Sequence, residues 1–98
     1  MAVALAIARD HPAYSGHFPS QPILPGVVLL AEVLAAIELA TGKPTREWEI
    51  SNAKFLAPVT PGMALTLVHS ATNSGSLRFE VRSAQGVVAS GVLSRVAS

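Results

Sequence analysis

The chain has 98 residues and a formal net charge of +1, and half of its residues are hydrophobic. This composition predicts one folded domain over residues 1–98, and it excludes a disordered chain and a basic nucleic-acid-binding protein. The lack of cysteine excludes a disulfide framework, a thiol nucleophile and a cysteine-ligated zinc site. The start of the chain lacks the basic region of a secretory signal peptide, so we expect a cytoplasmic protein.

The first predicted element is a strand over residues 2–9. Val3, Leu5 and Ile7 alternate with alanines, so the three branched side chains share one face. Residues 10–16 then form a loop.

A proline-rich loop at residues 16–26 carries a single histidine, His17. Pro19, Pro22 and Pro25 each fix a backbone φ angle, and each pushes the preceding residue out of the helical region. The loop is therefore stiff, which suits a side chain that must be held in place.

A helix is predicted from about residue 26 to 41. The segment is apolar except for Glu32 and Glu38, and the sequence Gly42-Lys43-Pro44 ends it. A helix that is apolar on all sides is expected to be surrounded by other structure. It is too short, and too interrupted by carboxylates, to span a membrane.

Gly26 stands at the start of this predicted helix. The first N–H groups of a helix have no partner within it and lie at the positive end of its dipole. They can therefore bind a carbonyl oxygen that gains negative charge during a reaction. Together with His17 and the Glu32 carboxylate, they supply the parts of an acid–base site for a carbonyl compound.

Four further strands are predicted, over about residues 48–56, 64–71, 77–82 and 87–96. We expect Trp48, Ile50 and Asn52 to share one face of the first of them, and His69 to be a sheet residue with a hydrogen-bond partner. Short turns make the last three strands antiparallel, and their apolar face needs the helix as a partner. The result is an α+β architecture with open sheet edges that favour association of subunits.

The loop sequence Gly16-His17-Phe18-Pro19, with Pro22 and Pro25-Gly26-Val27, resembles a known family signature. The family is that of the β-hydroxyacyl-acyl-carrier-protein dehydratases (FabA/FabZ-like) of fatty acid synthesis. Residues 53–62, Ala-Lys-Phe-Leu-Ala-Pro-Val-Thr-Pro-Gly, are similar to the segment that follows the helix in that family. The resemblance implies a hot-dog fold, in which an antiparallel sheet wraps one long helix, and dimers with active sites between subunits.

The resemblance also implies roles for individual residues. His17 corresponds to the catalytic base, and the Gly26 N–H corresponds to the group that binds the thioester carbonyl. Phe18, Pro19 and Val27 are implied as substrate-binding neighbours.

This sequence departs from the family at the position of the catalytic acid. Its carboxylate corresponds to Ala31, and Glu32 is the next residue. One helical step rotates a side chain by about 100°, so Glu32 does not simply replace the missing carboxylate. Either the helix start is shifted by one residue, or Glu32 reaches the site from another angle, or the acid is missing.

Three functions are compatible with these residues. The first is dehydration of a 3-hydroxyacyl thioester, on acyl carrier protein or coenzyme A, to a trans-2-enoyl thioester by a homodimer or higher oligomer without a metal or redox cofactor. The second is hydrolysis of an acyl thioester, with Glu32 activating water or acting as the nucleophile. The third is a non-catalytic acyl-binding subunit, because Ala31 replaces the family's acid.

Overall fold

The computed structural model of the chain describes residues 2–5, 7, 23–44 and 47–95. Its elements are β1 (Ala2–Leu5), α1 (Gly26–Thr41), β2 (Trp48–Phe55), β3 (Leu65–Ala71), β4 (Leu77–Ser83) and β5 (Gly86–Arg95). The predicted helix and the four later strands are confirmed to within one residue at each end. The first strand is confirmed over Ala2–Leu5, whereas Ile7 is not in a strand, and residues 6, 8 and 9 of that prediction lie outside the described residues.

The strands that the structure describes form one antiparallel sheet in the order β1-β3-β4-β5-β2. β3, β4 and β5 are joined by hairpins, and β1 and β2 form the two edges of the sheet. The predicted α+β architecture is therefore confirmed. β2 lies at an edge, next to the last strand of the chain rather than next to β3.

The inner face of the sheet and one stripe of the helix form the core. On β3, Leu65, Leu67 and His69 are buried and alternate with more exposed residues, as the sequence predicts. The helix contributes Leu29, Val33 and Ile37, spaced four residues apart. Burying side chains of this kind stabilises the fold by about 1.5–3 kcal/mol each. Phe79, Val81 and Leu93 add the largest buried side chains from β4 and β5.

The prediction that Asn52 shares a face of β2 with Trp48 and Ile50 is wrong. The register with β5 shifts between Ile50 and Asn52, so Ile50 pairs with Leu93 while Asn52 pairs with Val92. The extra residue reverses the alternation, because a β-bulge places two residues opposite one on the partner strand. Asn52 consequently lies on the outer face of the sheet, and Phe55 lies on the inner face.

The expectation that the helix is surrounded is also wrong for a single chain. Leu39 is 88% exposed and Val27 is 76% exposed. One sheet can cover only one side of a helix, so the apolar residues on the other side face outward.

Gly91 on β5 is predicted to be intolerant of a side chain. A Cβ atom there would lie 2.7 Å from Cζ of the buried Phe79 and would also meet the Asn52 carbonyl oxygen at the bulge. Overpacking of this kind costs about 1–3 kcal/mol. We therefore expect Gly91→Ala to lower the free energy of unfolding by that amount in urea titrations. Ser90→Ala, on the opposite face, is the matched control, and equal stability of the two variants would contradict the packing described here.

The burial of His69 predicts that the stability of the fold depends on pH. His69 is 6% exposed on the inner face, and this burial lowers the pKa of its imidazole from the usual 6.5. Below pH ~6.5 the unfolded chain binds the proton more readily than the folded chain, so the free energy of unfolding falls as the pH falls. We expect the wild type to lose more stability between pH 7.5 and 5.5 than His69→Gln does. Urea titrations at both pH values check this, and identical losses would refute it.

Candidate functional site

The start of α1 is fixed against the segment that follows β2. The Leu24 N–H donates a hydrogen bond to the Val59 carbonyl over 2.9 Å, and both side chains are buried. Pro25, the residue before the helix, has φ −59° and ψ 143°, an extended conformation from which the helix begins at Gly26. These contacts hold the first turn of the helix next to the end of β2.

The first amides of the helix have no hydrogen-bond partner among the described residues. The Pro25 carbonyl accepts hydrogen bonds from the N–H groups of Val28 (3.0 Å) and Leu29 (3.1 Å). Within the part of the chain that the structure describes, no carbonyl accepts a hydrogen bond from the N–H of Gly26 or Val27, and no side chain caps the helix. These donors lie at the positive end of the helix dipole, the environment that the predicted role of Gly26 requires.

The ring of Phe55 lies directly on Gly26. A Cβ atom built on Gly26 would be 2.7 Å from Cζ of Phe55 and 3.0 Å from both Cε atoms. Only glycine allows the ring to come so close. The sequence analysis did not identify Phe55 as a site residue. The available signal was an aromatic residue within the family-like segment 53–62, but nothing local in the sequence places that segment beside the helix start.

An apolar groove of about 610 Å³ opens at this point. Its walls are the beginning of the helix on one side and the chain that leaves β2 on the other. Val27, a predicted substrate-binding residue, lines the groove. The lining residues are Ile23, Leu24, Pro25, Gly26, Val27, Leu29, Phe55, Leu56, Ala57, Pro58 and Val59. All of these residues are apolar, so the groove suits a hydrocarbon chain.

Three predicted site residues, His17, Phe18 and Pro19, lie outside the described residues. Their roles stay predictions. Ile23, the first described residue after them, lines the groove.

Ala31 and Glu32 occupy different lines along the helix. Ala31 is exposed in line with Val27 and Ala35 on the outward face. Glu32 is half-buried at the flank of the helix, about 100° away. The outward face has a shallow depression of about 470 Å³ bounded by Ala31, Leu34, Ala35, Glu38 and Leu39. Glu32 is absent from this lining, so the two positions are not equivalent.

No group of three or more histidine, aspartate or glutamate side chains within residues 2–5, 7, 23–44 and 47–95 is arranged to hold a metal ion. No helix of these ranges has the length and apolarity to cross a membrane.

An antiparallel sheet packed on one long helix is the architecture of the hot-dog proteins. Solved structures of this class superpose on the chain. The dehydratase heterocomplex ApeI:P from Xenorhabdus doucetiae matches with a TM-score of 0.78 and 25% identity over 98% of this chain and 86% of that one. A protein from Erwinia carotovora subsp. atroseptica matches with a TM-score of 0.73 and 28% identity over 97% and 79% of the two chains.

The family can also be stated. The model of the ApeI-like family, described as ApeI dehydratase, matches residues 1–92, and the chain belongs to this family. Two relatives are called 3-hydroxyacyl-[acyl-carrier-protein] dehydratase FabZ. The one from Pasteurella multocida is 38% identical over an alignment of 69 positions that covers 62% of this chain and 45% of the relative. The one from Haemophilus ducreyi is 40% identical over an alignment of 70 positions that covers 62% of this chain and 46% of the relative. The chain thus matches less than half the length of these relatives, and the predicted resemblance to FabA/FabZ-like dehydratases is confirmed.

Proposed function

We propose that residues 1–98 form one hot-dog domain that dehydrates a 3-hydroxyacyl thioester to a trans-2-enoyl thioester. The observation that carries this proposal is that Gly26 and Val27, whose N–H groups have no partner among the described residues, line an apolar groove. The thioester carbonyl oxygen binds the Gly26 N–H, and the acyl chain follows the groove. The names of the FabZ relatives favour acyl carrier protein over coenzyme A as the carrier of the substrate. We place the reaction in the cytoplasm, as expected from the sequence.

The proposed reaction needs one base, one carbonyl-binding group and one acid. His17 removes a proton from C2, and the negative charge moves to the thioester oxygen, where the Gly26 amide and the helix dipole stabilise it. The C3–O bond then breaks, the C2–C3 double bond forms, and the hydroxyl leaves as water after it takes a proton from the acid. Imidazole is a suitable base because most of it is neutral at pH 7.5.

The acid is the carboxyl group of Glu32, which in our proposal comes from the second subunit of a dimer. Ala31 cannot donate a proton, and Glu32 is the only carboxylate near the middle of the described helix. Its side chain is half-buried at the flank of the helix, between the buried stripe and the outward face.

A homodimer is proposed because the single chain leaves apolar surface uncovered. Val27 and Leu39 on the helix, and Ile50 and Leu56 on or after the edge strand β2, are all exposed. A second copy would cover both the exposed apolar residues of the helix and the open strand edge.

Dehydration by the purified protein is the primary test. We expect wild type to convert a 3-hydroxyacyl thioester to the enoyl product with loss of water, followed by mass spectrometry. His17→Ala should lower kcat by about 100-fold or more, because general base catalysis contributes that much. His11→Ala, the same change at a histidine outside the motif, is the control. Equal rates for His17→Ala and wild type would remove His17 from the mechanism.

The same experiment separates dehydration from hydrolysis. A dehydratase leaves a saturated acyl thioester intact, whereas a hydrolase releases free thiol from it. Release of thiol by wild type, lost in Glu32→Ala, would replace the proposed function with the hydrolase.

The acid is tested by exchanging the two neighbouring positions. We expect Glu32→Gln to lower kcat by about 100-fold, since the amide cannot donate the proton. Ala31→Glu in the Glu32→Gln background shows whether a carboxyl group on the outward face restores the rate. Full activity of Glu32→Gln would exclude Glu32 as the acid.

The dimer is tested by placing a charge on the exposed helix face. Leu39→Glu should shift the mass in solution from dimer to monomer, measured by light scattering after size-exclusion chromatography, because the new carboxylate would be buried at the interface. Thr66→Glu, exposed on the outer face of the sheet, should remain dimeric. A wild-type monomer would contradict the proposal.

A further inference from the structure

The approach of Phe55 to Gly26 is end-on. The two Cε atoms are equally far from a Cβ position on Gly26, at 3.0 Å, and Cζ is nearer, at 2.7 Å. The tip of the ring therefore points at the helix start rather than laying its face on it. All three of the nearest atoms to this position belong to Phe55.

The base of this side chain is held firmly while much of the residue remains exposed. Phe55 is the last residue of β2 and pairs with Ala89 of β5. The next residue, Leu56, donates its N–H to the Val88 carbonyl over 2.8 Å. Phe55 is nevertheless 52% exposed and lines the apolar groove. A ring anchored in this way acts as a wall of the groove rather than as part of the core.

The groove is better suited to bind the acyl chain of a thioester than the pantetheine arm that carries it. Its eleven lining residues carry no polar side chain. A pantetheine arm has two amides that would lose hydrogen bonds with water in such a place, whereas an alkyl chain has none to lose. If the carbonyl binds the Gly26 N–H and the acyl chain follows the groove, C2, one bond from the carbonyl carbon, comes close to the ring tip, because the tip contacts Gly26 itself.

We propose that Phe55 selects the substrate by limiting the space at C2. The ring tip admits hydrogen atoms on C2 and excludes a methyl branch, so the preferred substrates are 3-hydroxyacyl thioesters that are unbranched at C2. This inference rests on the proposed dehydration, and it names Phe55 as a specificity-determining residue.

The experiment compares two substrates of equal chain length, a linear 3-hydroxyacyl thioester and its 2-methyl derivative, which keeps one proton on C2 for removal. The measured quantity is the ratio of kcat/KM for the methyl substrate to that for the linear substrate. We expect Phe55→Ala to raise this ratio by at least about tenfold over wild type, the discrimination that one methyl group gives in an apolar pocket. Phe55→Leu, a smaller change that keeps an apolar side chain, should give an intermediate ratio.

Ile50→Ala is the matched control. Ile50 is an exposed apolar residue of the same strand and does not line the groove. Its ratio should equal that of wild type. Thermal unfolding of each variant shows that the comparison is made between folded proteins, and Phe55→Leu carries the test if Phe55→Ala is unstable.

The outcomes separate the two proposals. Wild type that dehydrates the linear substrate, with the same ratio in Phe55→Ala and Phe55→Leu, overturns the role of Phe55 alone. Wild type that dehydrates neither substrate overturns the proposed function and this inference with it. A ratio that rises equally in Ile50→Ala also overturns the inference, because the effect would then be unrelated to the ring tip.

Discussion

The burial of one helical stripe against the inner face of the sheet is the constraint on which the site depends. Leu29, Val33 and Ile37 are spaced four residues apart, so they can all face the sheet only if the helix lies along it in one rotation. That rotation sends Val27 and Ala31 outward. It also places the beginning of the helix beside the end of β2, where the Leu24–Val59 hydrogen bond fixes it. The core thus determines where the open amides of the helix are.

Gly26 contributes to the proposed site in two ways, through its backbone N–H and through its lack of a side chain. Its N–H stands at the helix start, where backbone donors have no partner inside the helix. Its α carbon lets the Phe55 ring approach closely, so that an apolar wall stands beside the proposed carbonyl-binding amide. A low-polarity surrounding strengthens a hydrogen bond to a developing oxyanion, because fewer water molecules compete for it. A side chain at position 26 would displace the Phe55 ring and would also narrow the groove.

The local features of the fold could be predicted from the sequence, and the non-local ones could not. The alternation on β3 and β4 and the glycine stop at Gly42, which adopts φ 74°, are short-range signals that the structure confirms. The bulge that turns Asn52 outward depends on pairing with a strand about 40 residues away, and no single strand pattern encodes it. The contact of Phe55 with Gly26 likewise joins residues that are distant along the chain. The exposed helix face was missed because an apolar sequence does not reveal whether its partner is the same chain or another one.

The roles of His17, Gly26 and Glu32 rest on different kinds of observation. The motif around His17 led to the family, and the comparisons confirm that family membership over residues 1–92. The role of Gly26 rests on open amides and an apolar groove, whereas the acid at Glu32 rests on its chemistry more than on its place on the helix. The central claim is therefore the binding of a thioester carbonyl at the Gly26 amide.

The most direct measurement of that claim is the amide resonance of Gly26 in nitrogen-15 NMR spectra during titration with a saturated acyl-pantetheine, which can bind but cannot be dehydrated. The account predicts that the Gly26 amide proton moves downfield as the carbonyl accepts its hydrogen bond, while the amide of Ser90 on the sheet behind it stays in place. A Gly26 resonance that does not move at a saturating concentration of this thioester would contradict the account.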